Sequence, residues 1–450
     1  MKHNTDLTTG SISRHFLRLA APLIMGNILQ QLYNTVDALI LGRFAGDAEF
    51  AASGIAGAVM NLFLFMIAGA CTGISVILAQ LYGADNIRAF RREHWISLSF
   101  GIAAASVISL IGLLLLSPIL RLIKTPDSLM AYTVSYLRII MLSLPASFLY
   151  NLYNAILRSI GRAGAALLAL AAAVSANLLF DYYFVAVLGL GITGAALATA
   201  ISQALAAVLC IIYLFLKEPK LIVTGKDLCI DSSLLKRTAY FSLVTGLHQS
   251  SLYIGKLLVQ GAVNTGGTEM ISAYTATTRI EGFANSFGDS GSSAASVLTA
   301  QNLGADNKGR VKRIFRCSLL IMALTGIITS AIMYLSSGVS TGFVLGKYSG
   351  YEYESAKSYI RMISLFYTFC FIGNAFSGYF DGIGRVLVPF FGSASHIALR
   401  VLISWLLVEK RGLNAVSLAT GIGWIFVNAL WACIKLRSDS DKHFHAPSSR

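Results

Sequence analysis

The sequence predicts an all-α integral membrane protein whose twelve transmembrane helices form two pseudo-symmetric six-helix bundles. Three observations support this prediction: the apolar residues occur in long blocks, glycine is concentrated inside those blocks, and the second half of the chain repeats the first. Of the 450 residues, 56% are hydrophobic and 12% are charged, about half the charged share of roughly 25% found in soluble domains. A water-soluble fold could not bury that much apolar surface.

The apolar blocks have the length that a membrane-spanning helix needs. Each covers about 20 to 28 residues, and a helix rising about 1.5 Å per residue must cross a hydrocarbon core of about 30 Å. The blocks lack the alternation of barrel strands, and most of the 40 glycines lie inside them, as close helix packing requires. The predicted spans are 16–42, 53–80, 94–118, 130–156, 164–186, 191–216, 237–263, 270–301, 314–336, 358–380, 387–408 and 413–435.

The net charge of +14 could indicate a nucleic-acid partner, but the positions of the charges do not. Of the 35 lysine and arginine residues, 23 fall on the side of the predicted membrane that holds both termini, and seven fall on the other side. The positive-inside rule therefore predicts a multi-pass protein of the cytoplasmic membrane with both termini in the cytoplasm. Membrane lipids, and no nucleic acid, are the expected surroundings.

The chain repeats itself at a displacement of about 221 residues. Residues 79–86 read AQLYGADN and residues 300–307 read AQNLGADN, so six of eight positions are identical. Two shorter matches, 160–162 with 383–385 and 197–199 with 418–420, are displaced by 223 and 221. Each half then holds six spans, an even number, and both halves enter the membrane in the same orientation.

This repeat predicts a two-lobe organisation. The N-terminal lobe covers 1–216, a cytoplasmic linker 217–236, the C-terminal lobe 237–436 and a polar cytoplasmic tail 437–450. In the repeated Gly-Ala-Asp-Asn segment, glycine is expected to close one helix in the left-handed conformation, and Asp or Asn to start the next. These loops are either simple turns or part of a cytoplasmic gate.

Two aspartates lie inside predicted spans of the first lobe, where an ionisable residue costs at least about 2.5 to 3.5 kcal/mol on insertion scales. Asp37 and Asp181 lie at the same depth, roughly 8 Å from the outer ends of spans 1 and 5. Tyr33 and Asn177 stand one helical turn before them. Thr199 in span 6 reaches a similar level. The five side chains are therefore predicted to gather in the outer half of one lobe.

Such a cluster suits either of two cations. Sodium, a hard cation, prefers oxygen ligands. Two neighbouring carboxylates also suit a proton, because like charges in a poorly solvated site favour protonation of one of them. The residues do not choose between Na⁺ and H⁺. The alternative is that Asp37 and Asp181 only cap helix ends or bind backbone groups.

The second lobe has a different set of polar residues inside its spans. Lys256 and Glu281 lie at depths that allow an ion pair, which could neutralise charge or contact a substrate. Asp289 lies two turns deeper on span 8 and could face a central cleft, and Gln249 is a further polar residue of span 7. Arg400 is expected to be packed and hydrogen-bonded without a functional role.

Several of these segments resemble the multidrug and toxic compound extrusion (MATE) family. The segments are PLIMGN at 22–27, QQLYNTVD at 30–37, Gly42-Arg43, 80–86, Pro145 with 151–162, Asn177 with Asp181, and 301–307. They occur in order along essentially the whole chain. Within the family, the chain is most similar to the prokaryotic branch that includes MepA-type exporters.

The resemblance implies a MATE/MOP-like fold with a V-shaped cleft, and export of small amphipathic, often cationic compounds in exchange for sodium or protons. It places the cation site at Asp37, Asn177, Asp181 and Thr199, with Tyr33 as a polar neighbour. No cofactor is implied beyond the coupling ion, and a monomer is expected. Some members use carboxylates on spans 7 and 10, but this chain lacks them there, so no second-lobe cation site of that kind is expected.

Three other functions fit the sequence less well. A lipid-linked oligosaccharide flippase of the same superfamily would need a basic cavity for pyrophosphate, which Lys256, Arg279 and Arg400 would have to form together. An enzyme is not indicated, because no metal-ligand spacing, Ser/His pairing or phosphate-binding glycine loop occurs. A passive channel would not require two repeated lobes.

Overall fold

The computed structural model describes residues 7–440, and in this part of the chain the secondary structure is helical, with no strand. The first half contains α1 (Ile12–Phe44), α2 (Asp47–Gly83), α3 (Ile87–Leu122), α4 (Asp127–Ser159), α5 (Ala163–Asp181) and α6 (Gly191–Lys217). The second half contains α7 (Ser232–Asn264), α8 (Gly267–Gly304), α9 (Lys308–Leu345), α10 (Tyr351–Ser364), α11 (Tyr367–Gly382), α12 (Leu387–Arg411) and α13 (Leu413–Ser440). A π-helix, Tyr182–Val187, extends α5.

The predicted fold class is confirmed, with one change in a span. The predicted span 358–380 crosses a bend of 52° between α10 and α11, so these two helices together make one of the twelve segments. Among the described residues, eight helices are long and apolar enough to cross a membrane by length and composition alone, or nine with the bent pair. The other three, α1, α7 and α8, carry more polar residues, and they contribute to the contact between the lobes.

The two halves have matching element orders and separate cores. Helices of the second half begin 220 to 224 positions after their counterparts in the first. Buried apolar side chains form one large cluster in each lobe. The start of α1 is an exception, because Phe16, Leu19 and Ala20 belong to the second-lobe cluster. Helix α1 therefore connects the two lobes.

The repeated Gly-Ala-Asp-Asn loops confirm one half of the sequence prediction. The side chains of Asn86 and Asn307 accept hydrogen bonds from backbone N–H groups three residues later and so cap α3 and α9. The prediction for the glycines is wrong. The left-handed residues are Asp85 and Asp306, each with φ 53°. An aspartate tolerates this conformation better than most side chains do.

The glycines Gly83 and Gly304 are required by contact between the lobes. A Cβ atom on Gly83 would lie well under 3.0 Å from the carbonyl oxygen of Gln301, and a Cβ on Gly304 equally close to that of Gln80. Helices α2 and α8 therefore cross backbone against backbone at these positions. Only glycine permits this approach.

The crossing lies at the face of the protein that holds both ends of the described chain, which we call the terminal face. At this face Arg310 donates hydrogen bonds to the carbonyl oxygens of Thr9 and Gly10. Lys435, near the end of α13, lies over the ring of Phe315, near the start of α9. An even number of membrane crossings likewise places both ends of the chain on the same face.

A reciprocal pair of hydrogen bonds joins the lobes at the terminal face. Gln80 Nε2 of α2 donates to the carbonyl oxygen of Gly382 at 3.0 Å, at the end of α11. Gln301 Nε2 of α8 donates to the carbonyl oxygen of Ser159 at 2.5 Å, at the end of α4. The two residues occupy equivalent positions in the repeat. We call these two bonds the glutamine latch.

A buried carboxylate adds to the contact between the lobes. Glu93 of α3 is fully buried and accepts a hydrogen bond from Thr238 Oγ1 of α7 at 2.8 Å. The predicted span 94–118 begins one residue after Glu93, so the sequence does not indicate this carboxylate. Its fully buried position between the lobes depends on packing that the chain's local pattern does not encode.

The connection between the lobes is held by ion pairs. Helix α6 ends at Lys217 and α7 begins at Ser232. Arg91 Nε lies 2.8 Å from Asp227 Oδ2. Burial alone would raise the pKa of Asp227, but hydrogen bonds from Thr224 and the charge of Arg91 outweigh it, so this pKa is lowered.

The predicted tail, 437–450, is described only as far as Ser440, where α13 ends. Residues 441–450 lie outside the described residues, and so do residues 1–6. Three of the basic residues used to predict orientation, Lys2, Lys442 and Arg450, belong to these segments.

Candidate cation site and second-lobe polar network

Asp37 and Asp181 meet inside the first lobe. Asp181 is 0% exposed and Asn177, one turn earlier on α5, is 2% exposed, while Asp37 on α1 is half-buried. The two carboxyl groups lie close enough for a hydrogen bond to form between them when one is protonated. When both are ionised, neither can donate. Asp37 Oδ1 and both oxygens of Asp181 then have no hydrogen-bond partner.

Asn177 adds two further atoms without partners, since neither its Nδ2 nor its Oδ1 makes a hydrogen bond. Buried polar atoms are nearly always satisfied in folded proteins. Five unpartnered atoms on three adjacent side chains therefore indicate a place prepared for something else to bind. Oxygen atoms dominate the set, as a hard cation requires.

A change in helix geometry places Asp181. It is the last residue of α5, and the π-helix begins at the next residue. The apolar pattern predicts one regular helix through 186, so this break in α5 differs from the prediction. Gly189 and Gly191, both with positive φ, then turn the chain into α6, where the Ile192 N–H donates to the Glu49 carboxylate at 2.5 Å. Short π segments often occur at functional sites.

Tyr33 and Thr199 lie beside the carboxylates and bind each other. The Tyr33 hydroxyl and Thr199 Oγ1 are 3.2 Å apart. Tyr33 also interacts electrostatically with both Asp37 and Asp181. All five predicted side chains are thus brought together in the first lobe, with Tyr33 bonded to Thr199 instead of its neighbour Asp37.

Two further residues of the site were missed from the sequence. Tyr136 of α4 is 5% exposed and lies near both carboxylates. Its hydroxyl donates a hydrogen bond to Met60 Sδ at 3.6 Å. No local pattern points to it. Gln203 follows Thr199 by four residues, on the same face of α6, and its Oε1 also lacks a partner. Helical spacing from Thr199 could have found Gln203.

A cavity of about 40 Å³ lies beside Asn177 and Tyr33, and neither Asp37 nor Asp181 lines it. Tyr33, Asn177, Thr199 and Gln203 line it, and the remaining lining residues are Gln30, Tyr150, Leu170, Ala173, Val174, Ser202 and Ala206. The volume is sufficient for water, and polar partners are present. The cavity can therefore hold water next to Asn177, one helical turn before Asp181.

The charge of this site is not compensated by the described part of the protein. Among the ion pairs of residues 7–440, none includes Asp37 or Asp181, and no basic side chain contributes to the electrostatic surroundings of either. A buried charge is costly unless it is paired. The site therefore favours uptake of a cation or a proton.

The predicted second-lobe residues do not form a single cluster. Lys256 and Asp289 are exposed and interact electrostatically across α7 and α8. Lys256 does not contact Glu281 within 4.0 Å, so the ion pair considered for them is not formed. Gln249 lies in the contact between lobes, where it packs against Gly69 of α2.

Arg400 acts on Glu281 from beyond 4.0 Å, since no ion pair of residues 7–440 within that distance includes either residue. It is the leading opposite charge acting on Glu281, ahead of Lys256. Arg400 Nη2 donates to the hydroxyl of Tyr274 at 3.3 Å. The hydroxyl of Tyr359 lies next to Glu281. The hydrogen bond to Tyr274 agrees with the prediction that Arg400 is packed and hydrogen-bonded, and Glu281, Tyr274 and Tyr359 surround it as polar neighbours.

The three basic residues that a flippase would need do not surround one cavity. Arg279 is exposed, and because it precedes Glu281 by two residues, it points away from the Glu281 side of α8. Arg400 and Lys256 both lie near Glu281, which offsets their charge. The arrangement gives no support to a pyrophosphate site.

Two helical lobes in contact through α1, α2, α7 and α8, with an acidic site in one of them that the described residues do not compensate, have the architecture of a polytopic membrane transporter. The sequence model of the MatE family matches residues 22–183 and 244–406, one match in each lobe. The chain therefore belongs to the MATE family, which confirms the resemblance.

Known relatives and solved structures agree with this assignment. The chain is 24% identical over 433 residues to the probable multidrug resistance protein YpnP of Bacillus subtilis, with 94% of each chain covered. It is 24% identical over 320 residues to the multidrug export protein MepA of Staphylococcus haemolyticus, covering 70% of this chain and 69% of that protein. A MOP superfamily transporter from Pyrococcus furiosus has a TM-score of 0.91 at 21% identity, covering 98% and 99% of the two chains.

Proposed function

We propose that the protein exports small organic compounds, amphipathic or cationic, across the cytoplasmic membrane in exchange for Na⁺ or H⁺. The observation that carries the coupling is the cluster of unpartnered atoms on Asp37, Asn177 and Asp181, because it requires a positive ion that residues 7–440 do not supply. The names of YpnP and MepA, a probable multidrug resistance protein and a multidrug export protein, support the class of substrate.

The position of α1 supports coupling between the ion site and the lobes. Helix α1 carries Asp37 and packs against α5 of the first lobe and α8 of the second. Asn27, on the same helix, donates to Ser290 Oγ of α8 at 3.1 Å. Cation binding at Asp37 and Asp181 can therefore alter the fit of α1 against both lobes. An ion shifts the conformational equilibrium only through different affinities for the two states.

We assign the described conformation to the outward-facing state. The glutamine latch and the crossing at Gly83 and Gly304 close the terminal face, which the distribution of basic residues predicts to be cytoplasmic. In the cycle, substrate leaves towards the outside, and a cation then enters the first lobe and favours opening of the latch. The protein acts as a monomer, because the first lobe of a single chain contains the complete ion site.

The experiment is dye efflux from proteoliposomes with sodium and pH gradients imposed separately. Wild-type protein should respond to one gradient, which identifies the coupling ion. Asp37→Asn and Asp181→Asn should each reduce gradient-driven efflux by more than about tenfold, since each removes one of the two charges that attract the cation.

Glu354→Gln is the matched control, because this carboxylate is 65% exposed and lies outside the site. It should retain wild-type efflux. Unchanged efflux in both aspartate variants would refute the assigned ion site. Dye retention combined with transport of a lipid-linked sugar would favour the flippase instead.

A further inference from the structure

Each residue of the first-lobe cation site has a counterpart in the second lobe. Helices α5 and α12 follow glycines with almost the same φ, 80° at Gly161 and 83° at Gly384, at a displacement of 223. At that displacement, Asn177 corresponds to Arg400 and Asp181 to Ser404. An amide is thus replaced by a guanidinium, and a carboxylate by a hydroxyl.

The other carboxylate is also missing from the second lobe. Helices α1 and α7 align at a displacement of 220, where Gly26 matches Gly246 and Tyr33 matches Tyr253. The counterpart of Asp37 is then Leu257. Neither acidic residue of the cation site has an acidic equivalent.

The surrounding side chains confirm that the two places correspond. In the first lobe, the hydroxyl of Tyr136 reaches Met60 beside the carboxylates. Tyr359, 223 positions after Tyr136, places its hydroxyl next to Glu281, which is 221 positions after Met60. The network of Arg400 and Glu281 therefore occupies the second-lobe equivalent of the cation site.

The charges of the two places differ in a specific way. In the described part of the first lobe, the two carboxylates have no basic neighbour. In the second lobe, Glu281 and Asp289 are balanced by Arg400 and Lys256. An arginine cannot be deprotonated in a protein, and the hydroxyl of Tyr274 holds this one in place at 3.3 Å. The second lobe thus contains a positive charge that is not lost by deprotonation or dissociation.

We propose that Arg400 is a tethered cation that permanently fills the second-lobe equivalent of the ion site, so that only the first lobe gains and loses a cation during transport. The inference rests on the proposed cation-coupled function. It adds that one site, and not two, carries the coupling. It also predicts that loss of Arg400 creates a second ion site at Glu281.

The groups around Arg400 and Glu281 leave few other sources of positive charge. Those from the neighbouring helices are Lys256, Tyr274, Asp289, Tyr359, Tyr367, Cys370 and His396. Lys256 is the one permanent cation among them. It is exposed and interacts with Asp289 as well, so it does not replace Arg400 at Glu281.

The test counts cations bound by the purified full-length protein. Radioactive Na⁺ bound and protons consumed on acidification are measured for wild type, Arg400→Met, Arg400→Lys and the double variant Glu281→Gln/Arg400→Met. Arg400→Lys should take up as many cations as wild type, and Arg400→Met about one more per chain, because a half-buried carboxylate without a partner recruits an ion or a proton. The double variant should return to the wild-type number.

An Arg400→Met variant that takes up no more cations than wild type overturns the proposal. Adding Asp37→Asn and Asp181→Asn to Arg400→Met should remove the first-lobe cation and leave the new one. If those two substitutions change nothing in the wild-type background, the proposed coupling site fails, while the gain from Arg400→Met remains measurable. The two ideas are therefore separately refutable.

A poorly folding Arg400→Met variant still gives an answer through its melting temperature. A ligand that binds the folded state stabilises it by mass action. The melting temperature of Arg400→Met should therefore rise more steeply with Na⁺ or with acidification than that of wild type. An equal rise in both proteins contradicts the tethered-cation role.

Discussion

The helix crossing at the terminal face can be tested by adding a single methyl group on either side. Gly83→Ala and Gly304→Ala each place a Cβ atom against a backbone carbonyl of the opposite lobe, at well under 3.0 Å. Backbone cannot move aside as a flexible side chain can. We expect both variants to force the lobes apart at this face and to favour its open state.

The magnitude follows from the glutamine latch, which lies three residues before each glycine. Separating the helices by about 1 Å would stretch the bond from Gln80 to Gly382, now 3.0 Å, beyond the usual limit of about 3.2 Å. Each such bond contributes about 0.5 to 1.5 kcal/mol net. Loss of both bonds should shift the ratio of closed to open states by roughly 5- to 150-fold.

The assay measures the distance between two spin labels, one at Arg88 and one at Lys312, each attached to a non-natural amino acid. Both positions are exposed near the starts of α3 and α9. Both glycine variants should show a larger population of long distances than wild type. Gly309→Ala is the matched control, because a Cβ there meets nothing within 4 Å. A wild-type distance distribution in both Gly83→Ala and Gly304→Ala would refute the steric argument and the role of the latch.

Three further predictions concern single side chains. Tyr33→Phe removes the hydroxyl that bonds Thr199, so cation affinity should fall by roughly 2- to 12-fold in a binding titration, and an unchanged affinity would remove Tyr33 from the site. Thr238→Val removes a hydrogen-bond donor to the buried carboxylate of Glu93. The free energy of unfolding, measured by denaturation in detergent, should fall by about 1 to 3 kcal/mol. A loss below about 0.5 kcal/mol would mean that the hydroxyl contributes little to stability. For Asp227, whose pKa lies below its ordinary value of 3.8, the ionised form stabilises the fold above that value and the benefit is lost as pH falls further. The melting temperature of wild type should therefore fall more steeply below about pH 4 than that of Asp227→Asn, and parallel curves would contradict this.

Sequence patterns predicted the spans well because each crossing depends on local composition. Even α1, α7 and α8, which are less apolar, were found from block length and from the repeat. The bend between α10 and α11 was not predicted, since no proline or glycine stands at Leu365 or Phe366. Its counterpart α4 contains Pro145 and is nevertheless one helix. Packing, and not local propensity, decides which of the two is broken.

The parts of the candidate site differ in the same way. Asp37 and Asp181 could be singled out because an ionisable residue in a span is costly wherever it faces. Tyr136 could not be singled out, and Arg400, although ionisable and inside a span, could not be given a role, because both roles depend on which neighbours the helix rotations bring near. Gly83 was explained by a local rule for helix ends, while its actual reason lies 218 residues away, at Gln301.

The closed face and the charged interior together constrain how the transporter is driven. The latch is symmetric, so opening it costs about 1 to 3 kcal/mol whichever lobe moves. A single ion site can supply that much if its affinity differs by roughly 5- to 150-fold between the two states, a normal range for coupling between sites. If Arg400 fixes the charge of the second lobe, one variable site is both sufficient and necessary. Under the proposed coupling, ion binding at Asp37 and Asp181 acts on α1 while the second lobe keeps a constant charge, and the imposed ion gradient sets the direction of the cycle.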